Sequence, residues 1–372
     1  MPKFVVAGWC PSAWQPMLAG DGWIMRVRPR LARLTATQVG GLCTASRHFG
    51  NGLIDLTSRA NLQIRGVRQD GVRDLLERLV ELDLVDRNPE LEARRAILVA
   101  PEWRAGDDSE AIIDAFALRL PELPALPGKF GFAVDAGIAP SLTQDSADVR
   151  IERSSDGGLI LRADGRKTGM PVTRDTAVDA MIALARWFVA TGGNAAGRMV
   201  RHRVPLPAEL SGQGRPAPAR AAVIPGNRAY GLPFGRVEAP ALAALMNSSG
   251  GEALRITPWH IVILENGVPG DVPGLTRDPA EPTMRASACP GAPACPQATV
   301  ATRALASRLA PHVAGRLHVS GCAKGCAHPG MADVTLTGRD GRFDLARAAR
   351  AGESPERLGL SSREILAHFG VE

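Results

Sequence analysis

Four of the six cysteines come as two close pairs, Cys289-x5-Cys295 and Cys322-x3-Cys326. Each pair sits among small residues and turn formers, ACPGAPACPQA and SGCAKGCAHPG. A cubane of iron and sulfide presents four corners to thiolates, and its sulfides accept backbone N–H groups. Glycine and alanine let a backbone come that close. The pattern therefore suits one [4Fe–4S] cluster on Cys289, Cys295, Cys322 and Cys326. A helix beginning near Gln297 would aim its positive end at such a cluster. Three other readings compete. A structural zinc site usually spaces its ligands about two to four residues apart, which x5 fits poorly. Disulfides are rare where thiols are kept reduced, and free cysteines are often simply buried. Cys10 and Cys43 have no partner pattern and read as core or near-core residues.

A second chemical feature is a polar face. From Asp55 to Arg65 every second residue is polar: Asp55, Thr57, Arg59, Asn61, Gln63 and Arg65. On one strand these would form a single long face opposite Leu56, Ser58, Ala60, Leu62 and Ile64. A solvated sheet face reads the same way. A donor-rich face also suits an anionic ligand.

These residues fall in two stretches that look like copies. GDGWIMRV (Gly20 to Val27), a helix-like segment and LTSRANLQIRGV (Leu56 to Val67) make the first. GLPFGRV (Gly231 to Val237), a helix-like segment and ITPWHIVILENG (Ile256 to Gly267) make the second. Arg26-Val27 aligns with Arg236-Val237, and Leu56-Thr57 with Ile256-Thr257. Each unit reads strand, helix, strand, too small to bury a core alone. The second copy's corresponding face, Arg255, Thr257, Trp259, Ile261, Ile263 and Glu265, is mostly apolar, so only one copy offers a donor-rich surface. Between the copies, Gly71 to Val85 and Thr173 to Thr191 read as amphipathic helices, the second ended by Gly192-Gly193. Arg95 to Ala100 and Gly128 to Val134 read as strands. Pro205 to Pro225, rich in Pro, Gly, Ala and Arg, reads as a linker. Thr299 to Val313 and Ser361 to Phe369 read as helical.

Composition narrows the function classes. Aromatic residues are only 4% of the chain, with Tyr230 the single tyrosine, which argues against a stacking platform for single-stranded nucleic acid. The net charge of +6 is carried almost wholly by arginine, since only Lys3, Lys129, Lys167 and Lys324 are lysines. No lysine cluster suggests a nucleic-acid partner. No run reaches the ~18 apolar residues of a membrane span, and Met1 to Gly8 does not resemble a signal peptide. The expectation is a cytoplasmic protein with neither nucleic-acid nor membrane partners.

The four-cysteine pattern, the strand LTSRANLQIRG and the duplicated halves resemble the sirohaem-type nitrite and sulfite reductase superfamily over roughly Trp9 to Thr335. The resemblance implies an α+β fold. Two ferredoxin-like half-domains would pair by pseudo-two-fold symmetry into one sheet, with two α/β lobes, one carrying the cluster. The implied divisions are 1–68 and 226–270 for the half-domains, 69–204 and 271–372 for the lobes, and 205–225 for the linker. It further implies that the last cysteine, matching Cys326, bridges cluster and haem iron in the reductases. Basic residues matching Arg26, in IMRVR, Arg95, in RRAILVAP, and Lys129, the first lysine of K-x-K, bind the anionic substrate there.

Two departures bear on function. Gly131 stands where that motif has its second lysine, and Asp55 stands where an arginine is usual. Each lost charge-assisted contact costs about 1.5–3 kcal/mol, which argues against sulfite or nitrite reduction. Within the superfamily the chain most resembles the oxygen-dependent branch serving aerobic cobalamin synthesis. That branch converts precorrin-3A, a carboxylate-rich tetrapyrrole, by C20 hydroxylation and ring A lactone formation. The resemblance implies a monooxygenase taking O2 and electrons from a reductase or ferredoxin, with the tetrapyrrole held by Arg26, Arg59, Asn61, Gln63, Arg65, Arg95 and Lys129. It also implies a mononuclear non-haem iron, for which a 2-His-1-carboxylate set would suit. His48, His260 and His328 lie near the motifs. The alternatives are a reductase holding sirohaem and a non-catalytic iron–sulfur or zinc-binding module.

Overall fold

The computed structural model describes residues 10–221 and 227–371. The first copy runs β1 (Met17–Ala19), β2 (Gly22–Val27), β3 (Arg33–Thr35), α1 (Ala36–Phe49), β4 (Leu53–Leu56) and β5 (Leu62–Val67). Thr35 caps α1 by accepting the Gln38 N–H, and the Gln38 side chain returns to the Thr35 N–H. The alternation from Asp55 to Arg65 is not one strand. It folds into the hairpin β4–β5, in which Asp55 faces Gln63 and Leu56 faces Leu62. Thr57 makes the turn: its N–H donates to the Asn61 carbonyl, its hydroxyl accepts from Arg59 and Asn61, and Ala60 takes φ 50°. The hairpin folds about residue 59, so odd-numbered residues meet odd-numbered residues. The two-residue period survives the turn and hides it.

The middle lobe contains α2 (Val72–Glu81), α3 (Pro89–Arg94), β6 (Ile97–Val99), α4 (Asp108–Leu118), β7 (Phe132–Asp135), β8 (Val149–Arg153), β9 (Leu159–Ala163), β10 (Met170–Val172), α5 (Ala177–Ala190) and the single turn α6 (Gly193–Ala196). Strands β6, β7 and β8 are parallel, and β8, β9 and β10 antiparallel, in the order β10-β9-β8-β7-β6. Gly192 ends α5 at φ 86°. The described part of the expected linker, 205–221, is pinned to this lobe. Ser154 bridges to Pro216, Gly169 to Gly214, and the Arg220 N–H donates to the Pro140 carbonyl. Residues 222–226 lie outside the described residues.

The second copy runs β11 (Ala229–Gly231), β12 (Arg236–Glu238), α7 (Ala239–Ser249), β13 (Ala253–Ile256) and β14 (Ile261–Glu265). Arg236-Val237 corresponds not to Arg26-Val27 but to Arg33-Leu34. Leu31 and Phe234, at φ 54° and 58°, kink the chain alike just before these strands, and each strand leads straight into its helix. The repeat is otherwise matched in detail: Thr257 donates to the Ile261 carbonyl across a turn whose His260 lies at φ 60°. The copies do not share one continuous sheet. They exchange strands, giving β1-β2-β5-β4-β12 and β11-β14-β13-β3, while α1 packs on α7.

The last lobe has its own apolar core. Strands β15 (Ala286–Ala288), β16 (Leu317–Ser320) and β17 (Ala332–Arg339) are parallel. Strands β18 (Arg342–Ala349) and β19 (Arg357–Leu360) continue the sheet antiparallel. The expected helix from Gln297 starts only at Arg303, as α8 (Arg303–Leu309). The backbone before it is committed elsewhere: the Ala298 N–H to the Cys295 carbonyl, the Thr299 N–H to the Gly321 carbonyl, and the Val300 carbonyl to the Ala292 N–H. α9 (Ser362–His368) is capped by Ser361 and Glu364.

The lobes meet at Asp55, which is 7% exposed. Its carboxylate pairs with Arg65 of β5 at 3.3 Å, Arg236 of β12 at 2.8 Å and Arg303 of α8 at 3.5 Å. Burial pushes this carboxyl up, but the Arg236 hydrogen bond and the charges of Arg303, Arg236 and Arg65 outweigh it and hold the group below the usual aspartate range. Removing one partner of a buried ion network costs about 3–5 kcal/mol. Asp55→Asn is therefore expected to lower stability by that amount, seen as a fall in denaturation midpoint at unchanged slope; a loss below ~1 kcal/mol contradicts the assignment. Because the folded value is depressed, the contribution is complete above the ordinary value near ~3.9 and fades as pH falls below it.

Candidate functional site

Two loops bring the cysteines together, one after β15 and one after β16. The Gly321 N–H, adjacent to Cys322, donates to the Cys289 sulfur at 3.2 Å, so the loops touch through a ligand atom. A hydrogen bond from the Thr302 hydroxyl to the Cys289 carbonyl fixes the first loop from α8. Gly321 must be glycine, since a Cβ there would press on the Ala298 side chain and the Cys289 sulfur. Cys289 is buried, Cys295 and Cys322 are half-buried, and Cys326 is exposed.

Burial pushes the Cys289 thiol up; N–H groups of Gly321 and Gly291 pull it back, and Cys295 and Cys322 raise it again. Burial also pushes the Cys326 thiol up, Lys324 pulls it down, and the other three cysteines raise it. The four sulfurs thus lie within electrostatic reach of one another. Gathering four mutually repelling thiolates suits a cationic core of several metal atoms. Among the described residues no three His, Cys, Asp or Glu side chains converge closely enough for a single ion. A cubane spreads its four thiolates around its own width, so this donor set fits a cluster better than one zinc ion. Cys43 stands apart, buried, its thiol pushed up by burial to about 12. Cys10 is half-buried and lies close to Arg26.

The first loop rests on the first half-domain. The Gly20 N–H donates to the Ala294 carbonyl at 3.0 Å, and a Cβ on Gly20 would overlap the Pro293 carbonyl oxygen. Beside this seat the register places Arg26, Gln63, Asp55 and Arg236 in one row across β2, β5, β4 and β12. Arg26 and Arg28 each keep a buried Nε without an acceptor. Burial lowers the Arg26 guanidinium from its ordinary value, Cys10 raises it, and Arg28 and Arg59 lower it further. Arg59 is likewise lowered, by burial first and then by Arg198. Buried cationic donors lacking acceptors are costly unless an anion completes them.

The expected ligand residues divide between two surroundings. Arg26, Arg59, Arg95 and Lys129 lie near one another: Arg59 donates to the Lys129 carbonyl at 2.8 Å and to Ser146, and Arg95 donates to the Arg28 carbonyl and to Glu92. Gln63 lies in the row. Asn61 closes the turn and is 7% exposed. Arg65 offers nothing to a ligand. At 3% exposure it is spent on Asp21 and Asp55 and reaches toward the Ala294 carbonyl. Sequence reading missed Arg28, Arg198, Arg236 and Arg303. Arg28 was readable, since it alternates with Arg26 just past the end of β2; the others arrive from distant segments and carry no local signal. His48 is exposed at the end of α1, His260 sits in the second-copy turn, and His328 lies in the second cysteine loop. The structure does not assemble them into the two-histidine, one-carboxylate set that a mononuclear iron would need.

Comparisons agree with this architecture. The family model for the nitrite/sulfite reductase ferredoxin-like half domain matches residues 15–82. A precorrin-3B synthase of Sinorhizobium is 30% identical, the match covering 94% of this chain and 84% of the relative. A ferredoxin–nitrite reductase of Synechococcus elongatus is 23% identical, covering 90% and 80%. The solved NirA protein of Mycobacterium tuberculosis shares the fold at a TM-score of 0.59 and 18% identity, covering 92% of this chain and 78% of that one. On identity and coverage together, the chain belongs to the precorrin-3B synthase family, within the nitrite/sulfite reductase superfamily.

Proposed function

We propose that the chain converts precorrin-3A to precorrin-3B, with one [4Fe–4S] cluster held by Cys289, Cys295, Cys322 and Cys326. The observation that carries this reading is the contact of the two cysteine loops at Cys289 and Gly321, seated beside the Arg26 row. When bound, the cluster supplies one-electron transfer from a reductase or ferredoxin. The reaction consumes O2 and an electron pair: one oxygen atom enters the macrocycle at C20, and the other leaves as water with two protons. The oxygen and the ring A acetate add across one macrocycle double bond, the oxygen as the C20 hydroxyl and the carboxylate as the lactone, so no further water is lost.

The protein's part is recognition and placement. Arg26, Arg28, Arg59, Arg95 and Lys129 bind peripheral carboxylates, the unpaired Nε groups of Arg26 and Arg28 being donors an anion would complete. Gln63 and Asn61 orient the ring edge. Cys326, the exposed one of the four, would hold the cluster from its solvent side. Arg65 acts through the Asp55 network, which holds the first loop in place. The reductase reading has less support. Asp55 is consumed in ion pairs, and at Gly131 a Cβ would lie 3.2 Å from the Ala96 carbonyl oxygen, so the backbone there leaves a second lysine little room.

Anaerobically purified protein is expected to carry four iron and four sulfide per chain, by metal and sulfide analysis. Cys289→Ser and Cys322→Ser should lose most of both, while Cys43→Ala keeps them. Incubation with precorrin-3A, O2 and a reductant should add the mass of one oxygen atom. An unchanged mass with an intact cluster sinks the monooxygenase reading, and strong haem-like absorption in the purified protein favours the reductase. Arg26→Ala and Arg59→Ala should each raise KM about 10- to 100-fold, one charge-assisted contact apiece, without changing iron content.

A further inference from the structure

A wide cavity lies away from the cysteines. It has a volume of about 1240 Å³ and shares no lining residue with either cysteine loop or with the Arg26–Arg59 cluster. Its floor is the second half-domain, at Arg255, Ile263 and Glu265. Across that sheet the register sets Ala229, Ile263, Arg255 and Arg33 in one row. This row is the pseudo-two-fold counterpart of Arg26, Gln63, Asp55 and Arg236. The charge pair is inverted: where the first copy has Asp55 with Arg65, the second has Arg255 with Glu265, and Arg33 takes the place of Arg236. Arg255 stacks over Trp103 at 4.2 Å from the ring centre, giving the cavity an aromatic wall.

Two rim arginines, Arg104 and Arg228, face this space, and among the described residues no carboxylate pairs with either. The other rim arginines are committed, Arg220 to Glu102, and Arg153 and Arg174 to Asp108. The volume exceeds the ~300–1,000 Å³ of ordinary small-molecule pockets. A floor whose charges are already paired, Arg255 and Arg33 on Glu265, the Trp103 wall and two unpaired guanidiniums at the edge together describe a site for a broad ligand with carboxylates on its periphery. We propose that this cavity is a second binding site for a carboxylated tetrapyrrole, related by the internal symmetry to the one at Arg26. The ligand class rests on the function proposed above; the cavity and its unpaired arginines do not.

Uroporphyrin, a stable octacarboxylate macrocycle, is the probe. Calorimetric titration into the cluster-loaded protein should give two ligands per chain. Arg104→Glu with Arg228→Glu should leave one, weakening the lost site at least about tenfold, while iron content and thermal midpoint stay as in the parent. Arg26→Glu with Arg59→Glu should remove the other. One ligand per chain, lost with Arg26→Glu/Arg59→Glu and indifferent to Arg104→Glu/Arg228→Glu, overturns the second site. One ligand lost only with Arg104→Glu/Arg228→Glu supports the second site and removes instead the tetrapyrrole site at Arg26. No binding at all overturns the second site.

Discussion

The carboxylate of Asp55 is the constraint on which the arrangement depends. It is buried, and a buried carboxylate is tolerated only when ion pairs and hydrogen bonds replace its water. Those partners arrive from three places: Arg65 from the same half-domain, Arg236 from a strand lent by the other half, and Arg303 from the helix of the cysteine lobe. None of these elements can shift without uncovering a charge. The network therefore fixes relative position more than it adds net stability. With Asp21 included it contains two acids and three arginines. The surplus positive charge sits at Arg303, whose guanidinium burial pushes down to about 10. Thr302, its chain neighbour, holds the Cys289 carbonyl. A positive remainder beside the cysteine loops suits a seat for an anionic thiolate assembly.

Internal symmetry explains how one backbone serves two surfaces. Both hairpins use a threonine-stabilised turn with a non-glycine residue at positive φ, Ala60 in one and His260 in the other. Each half lends the strand ahead of its helix to its twin, so neither half closes its sheet alone. What differs is chemistry at equivalent positions: Gln63 against Ile263, Arg26 against Ala229, Asp55 against Arg255. Backbone hydrogen bonding fixes the shape, and side chains remain free to diverge on the exposed face.

Much of this was legible in the sequence. The cysteine spacing pointed to two converging loops, and the duplicated stretches pointed to paired half-domains. What sequence could not give has physical causes. A hairpin folded about residue 59 preserves the two-residue period, so alternation could not separate β4 and β5 from one strand. The helix expected from Gln297 was lost to a tight turn from Ala298 back to Cys295 and to loop bonds of Thr299 with Gly321 and of Val300 with Ala292. The repeat was misaligned because Arg-Val occurs at both 26 and 236, while the true match, Arg33-Leu34, is set by backbone kinks at Leu31 and Phe234. Arg65 looked like a ligand residue because a polar residue on a strand looks the same whether it meets solvent, substrate or a buried aspartate.

The two departures from the reductase pattern take on a common meaning in three dimensions. A pocket for a small anion needs several charges converging on one point. Here Arg65 and Arg236 are turned onto Asp55 and are not open to such an anion. At position 131 the side chain is absent and the Ala96 carbonyl lies close, while Arg59 is anchored to the Lys129 carbonyl and Ser146. Unpaired Nε donors remain on Arg26 and Arg28, two strands along the row from Asp55, and on Arg303 beside it. Two of the arginines at the Asp55 centre are thus committed to Asp55, while Arg26 and Arg28 keep open donors at the β2 end of the row. That distribution holds a small trigonal anion poorly and suits carboxylates around the rim of a wide ring, because electrostatic complementarity follows where the ligand carries its charge.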